Sequence, residues 1–430
     1  MENIVRGLFG ILFLVGLGWL LSTNRRSINW RAVLIGIGLQ LVFGLLVLKV
    51  PLVRVGFDFV SSFIVAILDF TYQGSLFVFG SLVDKSKTDT LGFIFAFRVL
   101  PTIIFFSALT SVLFYFGILQ KIVYAFAWVM AKTMGLSGAE SLSAAANVFM
   151  GQTEAPLLVK PYIEKMTNSE LLCLMIGGMA TIAGGVMAAY VGFLGGNDPV
   201  QQQLFATHLL TASIMNAPAA VVASKLLLPE TEVIDTNLQI ASEKVGSTAL
   251  EALTIGTSEG LKLAVNVGAM LISFIALIAM INYILGDIIG SFTGLNSWIA
   301  DSTDGHFAKL SLQYVLGQIC RPIAFIVGVD WKDSLTIGSL LGEKTAINEF
   351  VAYISLSKIP EGVISFKSKL MATYMLCGFA NLSSIAIQIG GIGSLAPNRR
   401  GDLSRFGFRA LLGGVLACLL TGSVAGMFVG

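Results

Sequence analysis

The sequence predicts an all-α polytopic membrane protein whose helices are interrupted at membrane depth. Of its 430 residues, 55% are hydrophobic and only 12% are charged, and the mean hydropathy is +0.84. A soluble domain has about 25% charged residues, so lipid must be the solvent for much of this surface. Apolar runs recur near the length of about 20 residues that crosses a bilayer. Polar stretches with a glutamate interrupt this pattern at residues 151–162 and 342–353.

Composition also excludes several functions. The formal net charge is +2, so there is no basic stripe for a nucleic-acid partner. The four cysteines lie in apolar runs without paired spacing and predict small buried side chains rather than disulfides. Two histidines, His208 and His306, are too few for a histidine-rich metal centre. No phosphate-binding GxxxxGK[ST] loop is present, so ATP hydrolysis is not indicated.

The N-terminal region predicts membrane helices that are retained. Residues 8–22 are apolar, but a second long apolar run follows them and no small-residue cleavage site does. Residues 56–80 carry Asp58 and Asp69 near their ends. We expect this segment to lie along the membrane as an interfacial helix.

The stretch GQTEAPLLVKPY places an amide, a hydroxyl and a carboxylate side by side at Gln152, Thr153 and Glu154. On a regular helix these side chains point about 100° apart, so they can converge only where the helix starts or breaks. Gly151 and Pro156 favour such a break. Non-helical backbone at membrane depth lines a cavity, and a carboxylate there is functional by default. The alternative is a tight loop at the membrane interface with Glu154 capping a helix.

The stretch GEKTAINEFVAY repeats this chemistry in the second half of the chain. Asn348 and Glu349 interrupt an otherwise apolar run, 334–356. The alternative is that Glu349 pairs with Lys344, although five positions is a poor helical spacing for an ion pair. We expect Glu343 and Lys344 to be structural or near the mouth of the site.

Two further stretches predict helix breaks, one in each half. In CGFANLSSIAI, Phe379, Asn381 and Ser384 offer donors, acceptors and an aromatic face suited to a hydroxylated ring. In GGMATIAGGVMAAY, Thr181 and the carbonyls around Ile182 suit a small hard cation. The alternatives are interhelical hydrogen bonding for the first stretch and close Gly/Ala packing for the second. Duplicated units with interrupted helices are typical of secondary transporters with a site at the bilayer midplane.

The pair GQTEAPLLVKPY and GEKTAINEFVAY resembles the signature motifs of the concentrative nucleoside transporters. FRVLPTIIFFSAL, VGVDWKDS and CGFANLSSIAIQIGG also resemble blocks of that family, over about residue 90 to the C-terminus. The resemblance implies a scaffold domain plus a transport domain with two re-entrant helical hairpins and broken transmembrane helices. The expected segments are 1–90 (N-terminal membrane helices and interfacial helix), 91–135 (scaffold helix and start of the transport region), 136–230 (first hairpin and broken-helix unit), 246–292 (amphipathic segment and scaffold helix), 306–395 (second hairpin and broken-helix unit) and 396–430 (C-terminal transmembrane helix).

The resemblance also implies residue roles. The base of a nucleoside would contact Gln152, Thr153 and Glu154 and pack against Val186. The ribose hydroxyls would be held by Glu349, Asn381 and Ser384, with Phe379 nearby. A sodium ion would be bound by these four residues, partly through backbone carbonyls: Asn147, Met150, Thr181 and Ile182.

The resulting expectation is a sodium-coupled nucleoside importer that works by an elevator motion, as a homotrimer in a bacterial inner membrane. It is not an enzyme, and no cofactor beyond the coupling ion is implied. Proton coupling is the first alternative. More remote alternatives are a membrane-embedded enzyme that uses Glu154 and Glu349 as an acid/base pair, and a channel.

Overall fold

Helices form nearly all the regular structure of this computed structural model, which describes residues 2–84, 94–196, 198–237 and 246–429. In these residues the β structure is limited to an isolated bridge between Glu361 and Ile364. The all-α prediction is therefore confirmed. The predicted boundary between residues 90 and 91 lies outside the described residues.

The longer helices are numbered here in chain order, and their bounds follow. They are α1 (Glu2–Leu20), α2 (Trp30–Lys49), α3 (Pro51–Phe79), α4 (Leu100–Tyr115), α5 (Ile118–Met134), α6 (Gly138–Ala146), α7 (Asn168–Ala180), α8 (Gly184–Gly195), α9 (Pro199–Leu227), α10 (Ala249–Asn282), α11 (Leu295–Ser302), α12 (Leu312–Ile326), α13 (Trp331–Ala346), α14 (Glu349–Ser357), α15 (Phe366–Leu376), α16 (Leu382–Leu395) and α17 (Arg400–Phe428).

Eight helical segments of the described chain are long and apolar enough to cross a membrane, which makes this a multi-pass protein. The segment Pro51–Leu82 is among them, although only 17% of its apolar window is buried. Its interfacial placement therefore stays a prediction. By contrast, the apolar runs 334–356 and 370–393 are not continuous helices, because non-helical residues interrupt them at 347–348 and at 377–381.

The most enclosed part of the fold is built around α9. Its apolar window is entirely buried, as is that of the interrupted pair α7 and α8. Helix α9 packs against α2, α7, α8 and α17. The segments containing α3 and α10 have only 17% of their apolar windows buried, so their outer faces need lipid or another chain as a partner.

A buried ion pair ties three elements of this enclosed part together. Lys225 on α9 pairs with Glu140 on α6 and donates to Ser169 Oγ on α7 at 2.9 Å. Glu230 lies 3.8 Å from the same ammonium group and accepts from Thr167 Oγ1 at 2.7 Å. Thr167 caps α7. The cluster therefore fixes the starts of α6 and α7 against the end of α9.

We expect Lys225→Met to lower the free energy of unfolding by about 3–5 kcal/mol, because it leaves Glu140 buried without its partner. Denaturant unfolding of the purified protein in detergent measures this. Lys262→Met is the matched control, since its pair with Glu259 is 70% and 61% exposed and contributes at most about 1 kcal/mol. Equal losses for the two variants would contradict the prediction.

Candidate functional site

Two hairpins and two broken helices meet in the enclosed part of the fold. Hairpin one consists of α6, a tip at residues 147–154 and the helical turns Ala155–Leu158 and Lys160–Ile163. Hairpin two consists of α13 and α14, which meet at residues 347–348. Break one, residues 181–183, separates α7 from α8, and break two, residues 377–381, separates α15 from α16. All four features were predicted as helix interruptions.

The tip of hairpin one is closed by its own residues. Gly151 N donates to Glu154 Oε2 at 3.2 Å. The Gln152 side chain bonds outside the tip: its Nε2 donates to Ser384 Oγ at 3.3 Å. Thr153 is exposed. Because Glu154 makes no side-chain cap to the following helical turn, the alternative of a helix-capping Glu154 does not describe this tip.

A glycine of α7 allows Gln152 to approach this closely. A Cβ at Gly178 would lie 2.9 Å from Gln152 Cβ and 2.8 Å from Gln388 Nε2, which is closer than real Cβ atoms pack. Gln388 Nε2 in turn donates to the Met175 carbonyl at 2.9 Å. The Gly/Ala packing considered for this helix is therefore present, and here it also positions a candidate site residue.

Glu349 is the centre of the hydrogen-bond network at hairpin two. It is the first residue of α14 and only 2% exposed. Its Oε1 accepts from Tyr190 OH at 2.9 Å and its Oε2 accepts from Asn381 Nδ2 at 2.9 Å. Lys344 instead donates to the Met375 carbonyl at 2.8 Å. Among the described residues Lys344 and Glu349 form no direct ion pair, so the alternative of a close pair is not observed, although the two charges lie within electrostatic reach of each other.

Break two carries the other predicted ribose residues. Asn381 caps α16, and its Oδ1 accepts from Ser384 N at 2.9 Å. Because Asn381 Nδ2 donates to Glu349 and Ser384 Oγ accepts from Gln152, this cap joins both hairpins. Phe379 is half-buried, and its N–H donates to the Thr181 carbonyl at 3.3 Å. Hydrogen bonds between helical elements, the alternative for this stretch, are therefore present, and the ribose roles of Asn381 and Ser384 stay predictions.

Sequence reasoning missed Tyr190, which binds Glu349 directly. Its ring stacks on Tyr353 with centroids 4.2 Å apart and meets Phe350 edge-on at 4.9 Å. Tyr190 lies four residues after Val186 on α8, so both share one helix face. One feature of the sequence could have identified Tyr190: it ends the stretch GGVMAAY, one helical turn after the predicted contact residue Val186.

The predicted cation residues lie around the tip of hairpin one and break one. Asn147 is fully buried, and its Nδ2 donates to the Ser143 carbonyl at 2.8 Å. Its Oδ1 has no hydrogen-bond partner among the described residues. A Cβ at Gly177 would lie 2.9 Å from Asn147 Nδ2, so the side chain packs directly on α7. Thr181 Oγ1 donates to the Gly177 carbonyl, which leaves its lone pairs available. A buried orphan oxygen of this kind fits a hard cation.

Among the described residues there is no group of three or more histidine, cysteine, aspartate or glutamate side chains that would suit a transition metal. Met150 and Ile182 are both buried in this region and offer backbone carbonyls. The donor set is therefore one of neutral oxygens, which is suited to a cation such as sodium rather than to zinc.

Asn216 on α9 was also missed, and it connects the two breaks. Its Nδ2 donates to the Ala180 carbonyl at 2.7 Å and to the Cys377 carbonyl at 2.6 Å. These carbonyls end α7 and α15, where helices leave acceptors unpaired. Cys418 Sγ lies 3.5 Å and 3.4 Å from the same two oxygens. Nothing near Asn216 in the sequence marked it, because its partners come from distant segments.

Family models and known proteins match nearly the whole of this chain. The family described as "Na+ dependent nucleoside transporter C-terminus" matches residues 208–426, its N-terminal counterpart matches 9–82, and "Nucleoside recognition" matches 96–197. An uncharacterized transporter of Haemophilus influenzae is 42% identical over 100% of this chain and 98% of its own length. The nucleoside permease NupC of Helicobacter pylori is 38% identical over 98% of this chain and 96% of its own.

Solved structures of the transporter CNTnw share the whole fold. The inward-facing substrate-bound state has a TM-score of 0.88 at 40% identity, over 99% of this chain and 98% of that one. A variant of CNTnw in an outward-facing state also has a TM-score of 0.88, at 39% identity, over 100% of this chain and 98% of that one. The predicted layout of two hairpins and broken helices is thereby confirmed.

We expect Asn216→Ala to lower the free energy of unfolding by about 2–4 kcal/mol, because two buried carbonyls lose their donor at once. Denaturant unfolding in detergent measures the change. Asn237→Ala, at an exposed position, is the control and should be neutral. A neutral Asn216→Ala would show that the bridge between the breaks carries no stability.

Proposed function

From the premise that this chain belongs to the concentrative nucleoside transporter family, we propose that it is a sodium-coupled nucleoside symporter. It would import nucleosides by an elevator motion of the hairpin-bearing body, as a homotrimer in a bacterial inner membrane. The family identifies the chain as a transporter of nucleosides and not as an enzyme, which removes the acid/base pair alternative.

The proposed nucleoside site uses both halves of the chain. Gln152, Thr153 and Glu154 would read the base, and Val186 would pack against it. Glu349, Asn381 and Ser384 would hold the ribose hydroxyls beside the ring of Phe379. A carboxylate, an amide and a hydroxyl together supply both acceptors and donors, as vicinal hydroxyl groups require.

The observation that carries this proposal is a continuous hydrogen-bonded chain across the two halves. It runs from Gln152 through Ser384 and Asn381 to Glu349, and on to Tyr190. A substrate that inserted its hydroxyl groups here would exchange bonds within an existing polar network. Its binding would therefore not leave buried polar groups of the protein without partners.

Sodium would bind at the Asn147 carboxamide oxygen, Thr181 and the carbonyls of Met150 and Ile182. Ordering of the hairpin-one tip by the ion would hold Gln152 in place and so raise nucleoside affinity, and the nucleoside would raise sodium affinity by the same factor. An inward-negative potential would drive the charged complex inward by about 2.3 kcal/mol per charge per 100 mV.

The elevator motion and the assembly are supported by the division of the fold. CNTnw has been solved in inward-facing and outward-facing states, and the enclosed part of this chain contains every proposed site residue. The segments containing α3 and α10 leave most of their apolar surface uncovered. These segments would form the fixed scaffold, with lipid and neighbouring subunits against them.

We expect Glu349→Ala to abolish uridine uptake into proteoliposomes, because the ribose loses its acceptor and Tyr190 OH and Asn381 Nδ2 lose theirs. Size-exclusion chromatography should show unchanged assembly. Glu361→Ala removes an exposed carboxylate beyond α14 and should transport normally. Normal uptake by Glu349→Ala would refute the ribose assignment.

The coupling ion is tested by radiolabelled uridine uptake under an imposed sodium gradient or an imposed proton gradient at matched voltage. We expect accumulation with sodium alone. We also expect Asn147→Ala to raise the half-saturating sodium concentration by about tenfold, the value of one lost buried ligand. Accumulation driven by protons alone would keep the transporter and overturn sodium coupling.

A further inference from the structure

Lys344, in the last turn of α13, is a fully buried cation with a backbone partner. It is 2% exposed, and its Nζ donates to the Met375 carbonyl at 2.8 Å. Among the described residues, the other buried lysine is Lys225, which is held by Glu140. Lys344 forms no direct ion pair in the described parts of the chain, although the buried carboxylate of Glu349 lies within electrostatic reach of its charge. A buried ammonium group needs compensation from somewhere.

The hydrogen-bonded part of that compensation comes from the end of α15. The carbonyl end of a helix carries partial negative charge and leaves acceptors unpaired. Here every carbonyl from the last turn into break two has a separate donor. The Thr373 carbonyl accepts from Tyr353 OH, and the Tyr374 carbonyl accepts from Cys377 N–H. The Met375 carbonyl accepts from Lys344 Nζ. The Leu376 carbonyl accepts from Gly378 N–H, and the Cys377 carbonyl accepts from Asn216 Nδ2.

The corresponding place in the first half shows no cationic side chain among the residues that the structure describes. There hairpin one presents Asn147, a neutral amide, to the last turn of α7 at Gly177. Within the part of the chain that the structure describes, its Oδ1 is without a hydrogen-bond partner. Each half therefore brings a hairpin residue against the last turn before a helix break. The first half offers an unpaired oxygen, and the second half brings its own positive charge.

We propose that Lys344 is a tethered cation that holds break two in its binding geometry without any ion from solution. This deepens the proposed function and rests on it: sodium would control only hairpin one, while the ribose half stays permanently ordered. Lys344 is a positioning residue. It acts through Met375 on residues 377–381, and so on Phe379 and Asn381.

The experiment compares Lys344→Gln, Lys344→Met and Lys344→Arg in the full-length purified protein. Glutamine keeps a donor without the charge, methionine removes both, and arginine keeps both. Lys225→Met serves as the control for losing a buried ammonium elsewhere. Hydrogen exchange of the amides at 378–381 reports on break two, since Gly378, Phe379 and Asn381 N–H groups are hydrogen-bonded there. Protection of residues 147–154 by sodium alone reports on hairpin one.

For Lys344→Met and Lys344→Gln we expect exchange at 378–381 to be about tenfold faster, and uridine affinity at saturating sodium to be about tenfold weaker. The sodium concentration that half-protects 147–154 should not change. Lys344→Arg should stay within about threefold of the parent protein, because the charge is kept. Lys225→Met should leave exchange through local opening at 378–381 unaltered, under conditions where global unfolding is too rare to contribute.

Three results would overturn the proposal. Unchanged exchange in Lys344→Gln would show that the charge is not needed, and this variant answers the question even when Lys344→Met does not fold. Parallel losses at 378–381 and in the sodium response of 147–154 would indicate general destabilisation. Lys225→Met matching Lys344→Met at 378–381 would show the same. Faster exchange at 378–381, in a protein whose parent binds no uridine, would uphold the tethered cation and refute the proposed substrate.

Discussion

The structure depends on one constraint: helices that stop inside a membrane protein must find partners for their end groups without water. Breaks one and two end α7 and α15 in the most enclosed part of the fold. Asn216 donates to a carbonyl of each, and Phe379 N–H reaches from one break to the other at Thr181. The polar residues buried around these ends therefore stabilise the helix ends, whether or not a ligand is bound.

The residues of the candidate site lie at helix ends of the same kind. Asn348 caps α14 and Asn381 caps α16, each through its side-chain oxygen. The first residue after the cap of α14 is Glu349, and the residue whose N–H is capped on α16 is Ser384. Helix starts inside the protein thus point carboxylate, amide and hydroxyl groups to one place. A regular helix would spread these groups around its circumference.

The fold class and the positions of the interruptions could be predicted from the sequence, because polar residues inside apolar runs are strongly constrained in a membrane. It also gave the family, which two long motifs specify. It did not reveal Tyr190, Asn216 or the backbone partner of Lys344. Their roles come from contacts between segments far apart in the chain: Tyr190 and Glu349 are 159 residues apart, and Asn216 and Cys377 are 161. A tyrosine or an asparagine in an apolar helix gives no sign of its role in the sequence, because its hydrogen-bond partners become known only in the folded structure. The individual ligand roles stay predictions, since hydrogen bonds within the protein do not identify the molecule that would replace them.

The connections between halves would allow an ion bound in one half, as proposed, to affect a ligand held by the other. Gln152 of hairpin one bonds Ser384 beyond break two, and Thr181 of break one accepts from Phe379 in break two. A cation that orders the Asn147 and Thr181 region would therefore hold hairpin-one groups against residues of break two. Coupling between two ligands requires only such a shared element whose order both of them favour. An arrangement with one exchangeable cation and one built-in ammonium would make this ordering depend on the ion in the first half alone. Such a division would give a carrier one control point and would leave the rest of its site preformed.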